Sequence, residues 1–167
     1  MRTAEEALSP EQQQANQWVE KANRFYAAEQ YPKAIDAYRE AIELYPPYRM
    51  YNFIVGELLM RARKYQAAAE AYRDVLDLTP DHEQAWSDLG QCLLVMDCTT
   101  EAVEAFDRAI DLAPEYVEPL YYGALARGRL GEHGVAERYL RRALMLKPEW
   151  ASYAREDPVL RRYLDAA

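Results

Sequence analysis

Two cysteines, two histidines and 28 Asp and Glu residues are the groups of this 167-residue chain whose types could carry chemistry. Cys92 and Cys98 stand six positions apart. A zinc site or dithiol couple needs CxxC-type spacing with further ligands at matching intervals, and none follows here. Both thiols therefore read as small, largely buried side chains, with Cys98 open to adventitious oxidation if solvent reaches it. His82 and His133 each precede a helical pattern and are far apart in sequence, which suits capping or surface positions better than a joint site. The carboxylates spread along the polar faces of helical patterns, so no two are singled out as a general acid and base. A Gly-rich phosphate loop, an HExxH and a GxSxG are all absent. No catalytic residue, metal site or cofactor is expected, and the chain does not read as an enzyme.

The elements that would position any site come in copies. Pro46, Pro80, Pro114 and Pro148 are each 34 residues apart. Numbering each copy from 1 and placing its proline at 32 starts the repeats at Ala15, Arg49, Glu83 and Val117. Position 4 then holds Trp18, Asn52, Trp86 and Leu120. Position 8 is small throughout: Ala22, Gly56, Gly90, Ala124. Position 11 holds Phe25, Leu59, Leu93 and, out of pattern, Arg127. Ala34, Ala68, Ala102 and Ala136 share position 20, and Tyr38, Tyr72, Phe106 and Leu140 share position 24. Ala41, Val75, Ala109 and Ala143 share position 27.

Trp86-x₂-Leu89-Gly90-x₂-Leu93, followed by Ala102-x₃-Phe106 and Pro114, resembles the tetratricopeptide repeat family, whose period is 34 residues. The stretch departs from that signature only where Leu93 replaces Tyr. The resemblance covers residues 15–150 and implies an all-α, right-handed superhelical solenoid of four helix-turn-helix units with a C-terminal capping helix. The residue pattern agrees. Trp86, Leu89, Gly90 and Leu93 share one helical face, and Ala102, Phe106 and Ala109 share another. Small residues at positions 8, 20 and 27 let helix axes approach, and the large residues at 4 and 24 fill the space beside them. One helix pair cannot bury its apolar face alone, so stacked pairs must share a core.

The expected boundaries are a lead-in at 1–14, repeats at 15–48, 49–82, 83–116 and 117–150, and a cap at 151–167, all within one domain. Ser9-Pro10-Glu11-Gln12 reads as an N-cap, a first-turn proline and a capping box. Asp81-His82-Glu83-Gln84 repeats that logic. Pro32 and Pro119 fall in first turns, where a missing N–H costs little. The last repeat would leave an apolar face bare. Trp150, Tyr153 and Ala154 fall at helical spacing, and Asp157-Pro158 is expected to start another short helix carrying Leu160, Tyr163 and Leu164. Residues 149–165 therefore read as the capping segment.

Composition narrows the partner. With 50% hydrophobic and 29% charged residues the chain can bury a core and is not of disordered type. Its net charge of −8 repels phosphate backbones, so nucleic acid is disfavoured. Residues 1–120 carry 11 Lys and Arg against 22 Asp and Glu, whereas residues 121–167 carry 9 against 6. An acidic and a mildly basic end make self-association a further option. No apolar stretch has the length of a signal peptide core or a membrane span, so membrane insertion is not expected and a cytoplasmic location is.

In the resembled family, positions 2, 5, 9 and 12 of each first helix line a concave peptide-binding groove. Here those are Asn16, Val19, Asn23 and Tyr26; then Met50, Phe53, Glu57 and Met60; then Gln84, Ser87, Gln91 and Leu94; then Glu118, Tyr121, Leu125 and Gly128. One subgroup clamps a peptide carboxylate with groove cations. Asn23 fits that pattern, but Val19 and Gln84 stand where lysine is needed, so a carboxylate clamp is disfavoured. The resemblance implies an interaction adaptor or scaffold that holds a partner's peptide segment through apolar anchors and amides. The alternatives are a small chaperone for a secreted or assembling client, and a self-assembling scaffold.

Overall fold

The computed structural model describes residues 8–164, and every regular element among them is helical. Expectations for residues 1–7 of the lead-in and 165–167 of the cap lie outside the described residues. The chain divides into two compact units, Met1–Val75 and Leu76–Ala167.

In the first unit, α1 (Pro10–Ala27) starts as its sequence predicts. Ser9 Oγ accepts from the Gln12 backbone N–H at 3.2 Å, and Pro10 occupies the first turn. Gln13, not Gln12, reaches back, donating from Nε2 to the Leu8 carbonyl at 2.9 Å. α1 pairs with α2 (Tyr31–Leu44), burying Ala15, Ala22, Ala34, Tyr38 and Ala41. A 3-10 segment, Pro46–Tyr51, delays α3 (Asn52–Arg61) by three residues relative to the repeat frame. Its tyrosines pack together. Tyr51 stacks on Tyr38 with centroids 5.5 Å apart, and Tyr48 meets Tyr45 and Tyr51 edge-on. α4 (Tyr65–Leu78) follows, and the division between the units falls near its end.

In the second unit, α5 (Glu83–Val95) pairs with α6 (Thr99–Leu112), and α7 (Val117–Arg129) with α8 (His133–Leu146). The N-cap of α5 is His82 rather than Asp81: its ring Nδ1 accepts from the Ala85 N–H at 3.2 Å. The C-terminal segment comprises a 3-10 turn (Pro148–Trp150), α9 (Ala151–Glu156) and a second 3-10 turn (Leu160–Tyr163) in place of the expected short helix. Asp157 caps that turn, its Oδ1 accepting from the N–H groups of Val159 and Leu160 at 2.8 and 3.0 Å. Leu160 and Ala154 are fully buried, and Val159 lies where Gly128 lacks a Cβ. His133 Nδ1 hydrogen-bonds the Tyr163 hydroxyl at 2.7 Å, which ties the turn to the start of α8.

The repeated prolines act through the residue before them. A proline disfavours helical backbone in its predecessor. Tyr45, Ala113 and Lys147, which precede Pro46, Pro114 and Pro148, have φ near −135° and end α2, α6 and α8. Small and aromatic positions also interlock. A Cβ at Gly56 would sit 2.7 Å from the Tyr72 ring, and one at Gly90 would sit 2.6 Å from the Phe106 ring.

Position 15 of every repeat is a left-handed residue: Glu29, Arg63, Asp97 and Gly131, with φ of 57, 58, 64 and 78°. Each turn closes with the same bond, exemplified by Lys64 N–H to the Leu59 carbonyl at 2.8 Å and Cys98 N–H to the Leu93 carbonyl at 2.9 Å. This is the Schellman arrangement that ends helices on a left-handed residue. Open space surrounds Gly131, so Gly131→Ala meets no steric obstacle beyond its own backbone. The variant is expected to lose about 1 kcal/mol from left-handed strain alone. Urea denaturation measures it, and an unchanged midpoint would contradict the assignment.

Arg127, the misfit at position 11, is held by two carboxylates. Its guanidinium pairs with Asp107 of α6 and with Glu132, and lies 5.3 Å from the centroid of the Tyr139 ring. The Tyr139 hydroxyl donates to Asp107 at 3.0 Å. A paired cation thus stands at the position where Leu59 and Leu93 are buried in their own repeats.

Candidate protein-binding surface

The first-helix positions behave differently in the two units. In the first, Asn16 and Asn23 are turned to internal work. Asn16 Oδ1 accepts from Tyr48, and Asn23 Oδ1 accepts from Tyr38 at 2.5 Å. Val19 is half-buried, and Tyr26 is exposed with its ring edge-on to Tyr31 at 6.2 Å. Met50 is 65% exposed, but it belongs to the 3-10 segment and not to α3. Phe53, Glu57 and Met60 are all half-buried on α3, and the Phe53 ring tilts over Tyr72 at 5.7 Å. One unit therefore presents Met50, Phe53 and Met60 with a carboxylate among them.

Glu57 reports on that surface. Desolvation pushes its carboxyl above the ordinary value, with nearby Arg61 opposing the shift. The folded chain thus holds this proton more tightly than the unfolded chain does. The stability that protonated Glu57 contributes is present below the unfolded pKa and is lost as pH rises through the folded one. Glu57→Gln is therefore expected to raise the melting temperature at neutral pH, with the gain vanishing below about pH 4. Melting curves across that range test it; a lower melting temperature at pH 7 would count against a desolvated Glu57.

In the second unit, Gln84 is exposed, and Gln91 is half-buried with Nε2 donating to Asp88 at 3.2 Å. Ser87 and Leu94 lie inside the packing. Glu118 is half-buried and accepts from Lys147 Nζ at 3.3 Å. Tyr121, Leu125 and Gly128 are buried as well. Tyr121 and Gly128 are covered from the C-terminal segment: the Trp150 ring meets Tyr121 edge-on at 5.0 Å, and Val159 meets Gly128.

That covering leaves a cavity of about 650 Å³. α7 contributes Tyr121, Tyr122 and Leu125, and the C-terminal segment contributes Trp150, Tyr153, Glu156, Asp157 and Pro158. Burial first, then the Asp157 carboxylate and Tyr122, push the Tyr121 phenol up to about 12. By sequence, Trp150 and Tyr153 belong to the capping segment alone. Their helical spacing signalled an apolar face but not that it would stop short of filling the space beside α7. Neither cysteine enters this surface, Cys92 being buried and Cys98 partly so at the start of α6. Among the described residues, no group of three or more His, Cys, Asp or Glu could hold a metal ion, and no helix is long and apolar enough to cross a membrane.

A tetratricopeptide repeat family model matches residues 19–82 and 55–117, more than half of the chain. Comparison with curated proteins gives no match. A crystal structure of MamA protein is similar over 89% of this chain and 81% of its own, with a TM-score of 0.81 and 19% identity. MamA from Desulfovibrio magneticus RS-1, solved from residue 41 to its end, gives 0.73 at 18% identity over 81% of this chain and 76% of that one. The first TPR of Spaghetti (RPAP3), bound to the HSP90 peptide SRMEEVD, gives 0.65 at 21% identity over 72% and 95%. At such identities the likeness is one of fold.

Proposed function

Because the chain belongs to the tetratricopeptide repeat family, we propose that it is an adaptor with no chemistry of its own, holding a partner's peptide segment against its first helices. The observation that carries this reading is the surface of Met50, Phe53 and Met60 around the desolvated Glu57, since apolar area of that kind is costly to leave in water. A repeat of the same fold has been solved with a peptide bound, which supports the class of ligand. Glu57 would favour Lys or Arg beside the apolar anchors. The adaptor would act in the cytoplasm.

The test begins with capture of the partner from the source cell, followed by calorimetry with a synthetic segment of it. Phe53→Ala is expected to weaken binding by about 1–2 kcal/mol, as interface energy concentrates in aromatic anchors. Glu57→Gln should mainly reduce the salt dependence. Binding equal to wild type in both folded variants would remove this surface from the interface. Self-assembly is a second reading, favoured by a recess lined by Arg155, Arg161 and Arg162 in a chain of net charge −8. A mass that rises with concentration and falls back in salt would support it.

A further inference from the structure

The cavity beside α7 combines aromatic walls with carboxylates. Tyr121 is packed edge-on by both Tyr122 and Trp150, at 5.5 and 5.0 Å and near right angles. Such mutually perpendicular rings turn faces in different directions, and the face of an aromatic ring attracts cations. Tyr153, 63% exposed, stands at the wall with most of its surface in water. Glu156 and Asp157 line the same space. The positive groups nearby are already engaged or lie elsewhere. Lys147 Nζ sits 5.1 Å from the centroid of the Trp150 ring and is paired with Glu118, while Arg155, Arg161 and Arg162 line a separate recess beyond Pro158. Burial pushes the Tyr121 phenol up to about 12, and the acidic side chains of the lining are Glu156 and Asp157.

We propose that this cavity seats an arginine side chain of a partner's peptide segment, its guanidinium stacked on the exposed Tyr153 ring and paired with Glu156 and Asp157. Arginine suits it better than lysine. A guanidinium is planar, stacks on rings, is weakly hydrated and pairs with carboxylates through two donors at once. This inference rests on the peptide-binding reading above and names a residue of the ligand.

N-acetyl-arginine amide is the probe, titrated into the ¹⁵N-labelled 167-residue chain. N-acetyl-citrulline amide is the control, since it keeps the shape and loses the charge. Arginine amide should shift the Trp150 indole N–H and the backbone amides of Tyr122, Tyr153 and Asp157, binding about fivefold or more tightly than citrulline amide. Glu156→Gln should remove most of that preference and leave the citrulline titration unchanged. Tyr153→Ala should weaken the arginine titration. Both replaced side chains are exposed, so the fold is expected to persist, and the unperturbed remainder of the spectrum checks it. Equal binding of the two amides, shifts confined to Arg155, Arg161 and Arg162, or an unaltered preference in Glu156→Gln would each overturn the inference. If the captured segment is weakened by Phe53→Ala while arginine amide ignores the cavity, the cavity inference fails and the peptide-binding reading stands. If arginine amide fills the cavity while no segment binds, the guanidinium preference of the cavity stands and its assignment to a partner segment falls with the peptide-binding reading.

Discussion

Deleting residues 149–167 is expected to lower the melting temperature by roughly 8–16 °C, or to leave a protein that aggregates. Leu160 and Ala154 are fully buried, Val159 packs against Gly128, and Trp150 covers Tyr121. A fully buried large apolar side chain contributes about 1.5–3 kcal/mol, so Leu160 with the partial burial of Val159 and Trp150 supplies about 4 kcal/mol. In a chain of this size each kcal/mol moves the midpoint by about 2–4 °C. The cut also exposes Tyr121 and Leu125, which face the C-terminal segment, and apolar area of that kind in water seeks another copy. Thermal melting followed by circular dichroism, with size-exclusion chromatography of the same samples, reads both effects. An unchanged midpoint and a single monomer peak would show that the segment stabilises nothing.

Phe106→Ala should be the most damaging single substitution, at about 3–5 kcal/mol, because its ring is fully buried and a cavity would remain. Its partner makes the test sharper. A Cβ at Gly90 would lie 2.6, 2.8 and 2.9 Å from three atoms of the Phe106 ring, so Gly90→Ala forces a ring that has no room to retreat. Overpacking of this kind costs about 1–3 kcal/mol. In the Phe106→Ala background the obstacle is gone, and alanine exceeds glycine in a helix interior by about 1 kcal/mol. Gly90→Ala is therefore expected to change sign, from destabilising in wild type to neutral or stabilising beside Ala at 106. Urea denaturation of the four proteins gives the coupling directly. Additive losses would mean that the two helices do not meet at this pair.

The parts of this architecture that are local or periodic were legible in the sequence. Pro46, Pro114 and Pro148 act on the residue before them, and small residues facing large ones repeat every 34 positions, so both could be read without coordinates. The left-handed turns were hidden, because only Gly131 advertises one; Glu29, Arg63 and Asp97 adopt the same backbone with no residue signal. The Pro46–Tyr51 segment was hidden too. The repeat frame places α3 at Arg49, but the tyrosine cluster holds a 3-10 turn as far as Tyr51.

The binding surface was only half legible, for a different physical reason. Helical spacing says which way a side chain points, but not what arrives to cover it. Tyr121 points as its position requires and is then covered by Trp150, 29 residues later. Asn16 and Asn23 carry amides suited to a peptide, yet Tyr48 and Tyr38 take up their oxygens. Arg127 looked like a broken position until Asp107, from the preceding repeat, supplied its partner.

Where a partner touches decides whether the first helices bind it. A photoreactive phenylalanine can be placed singly at exposed positions: Tyr26 on α1 and Met50 just before α3, and Arg39 and Met145 on the second helices α2 and α8. Each labelled protein is irradiated with the captured partner, and the cross-linked fraction is measured. Strong cross-links are expected from Tyr26 and Met50, and background levels from Arg39 and Met145. Cross-links from Arg39 and Met145, with none from Tyr26 and Met50, would place the partner on the second helices and contradict binding at the first.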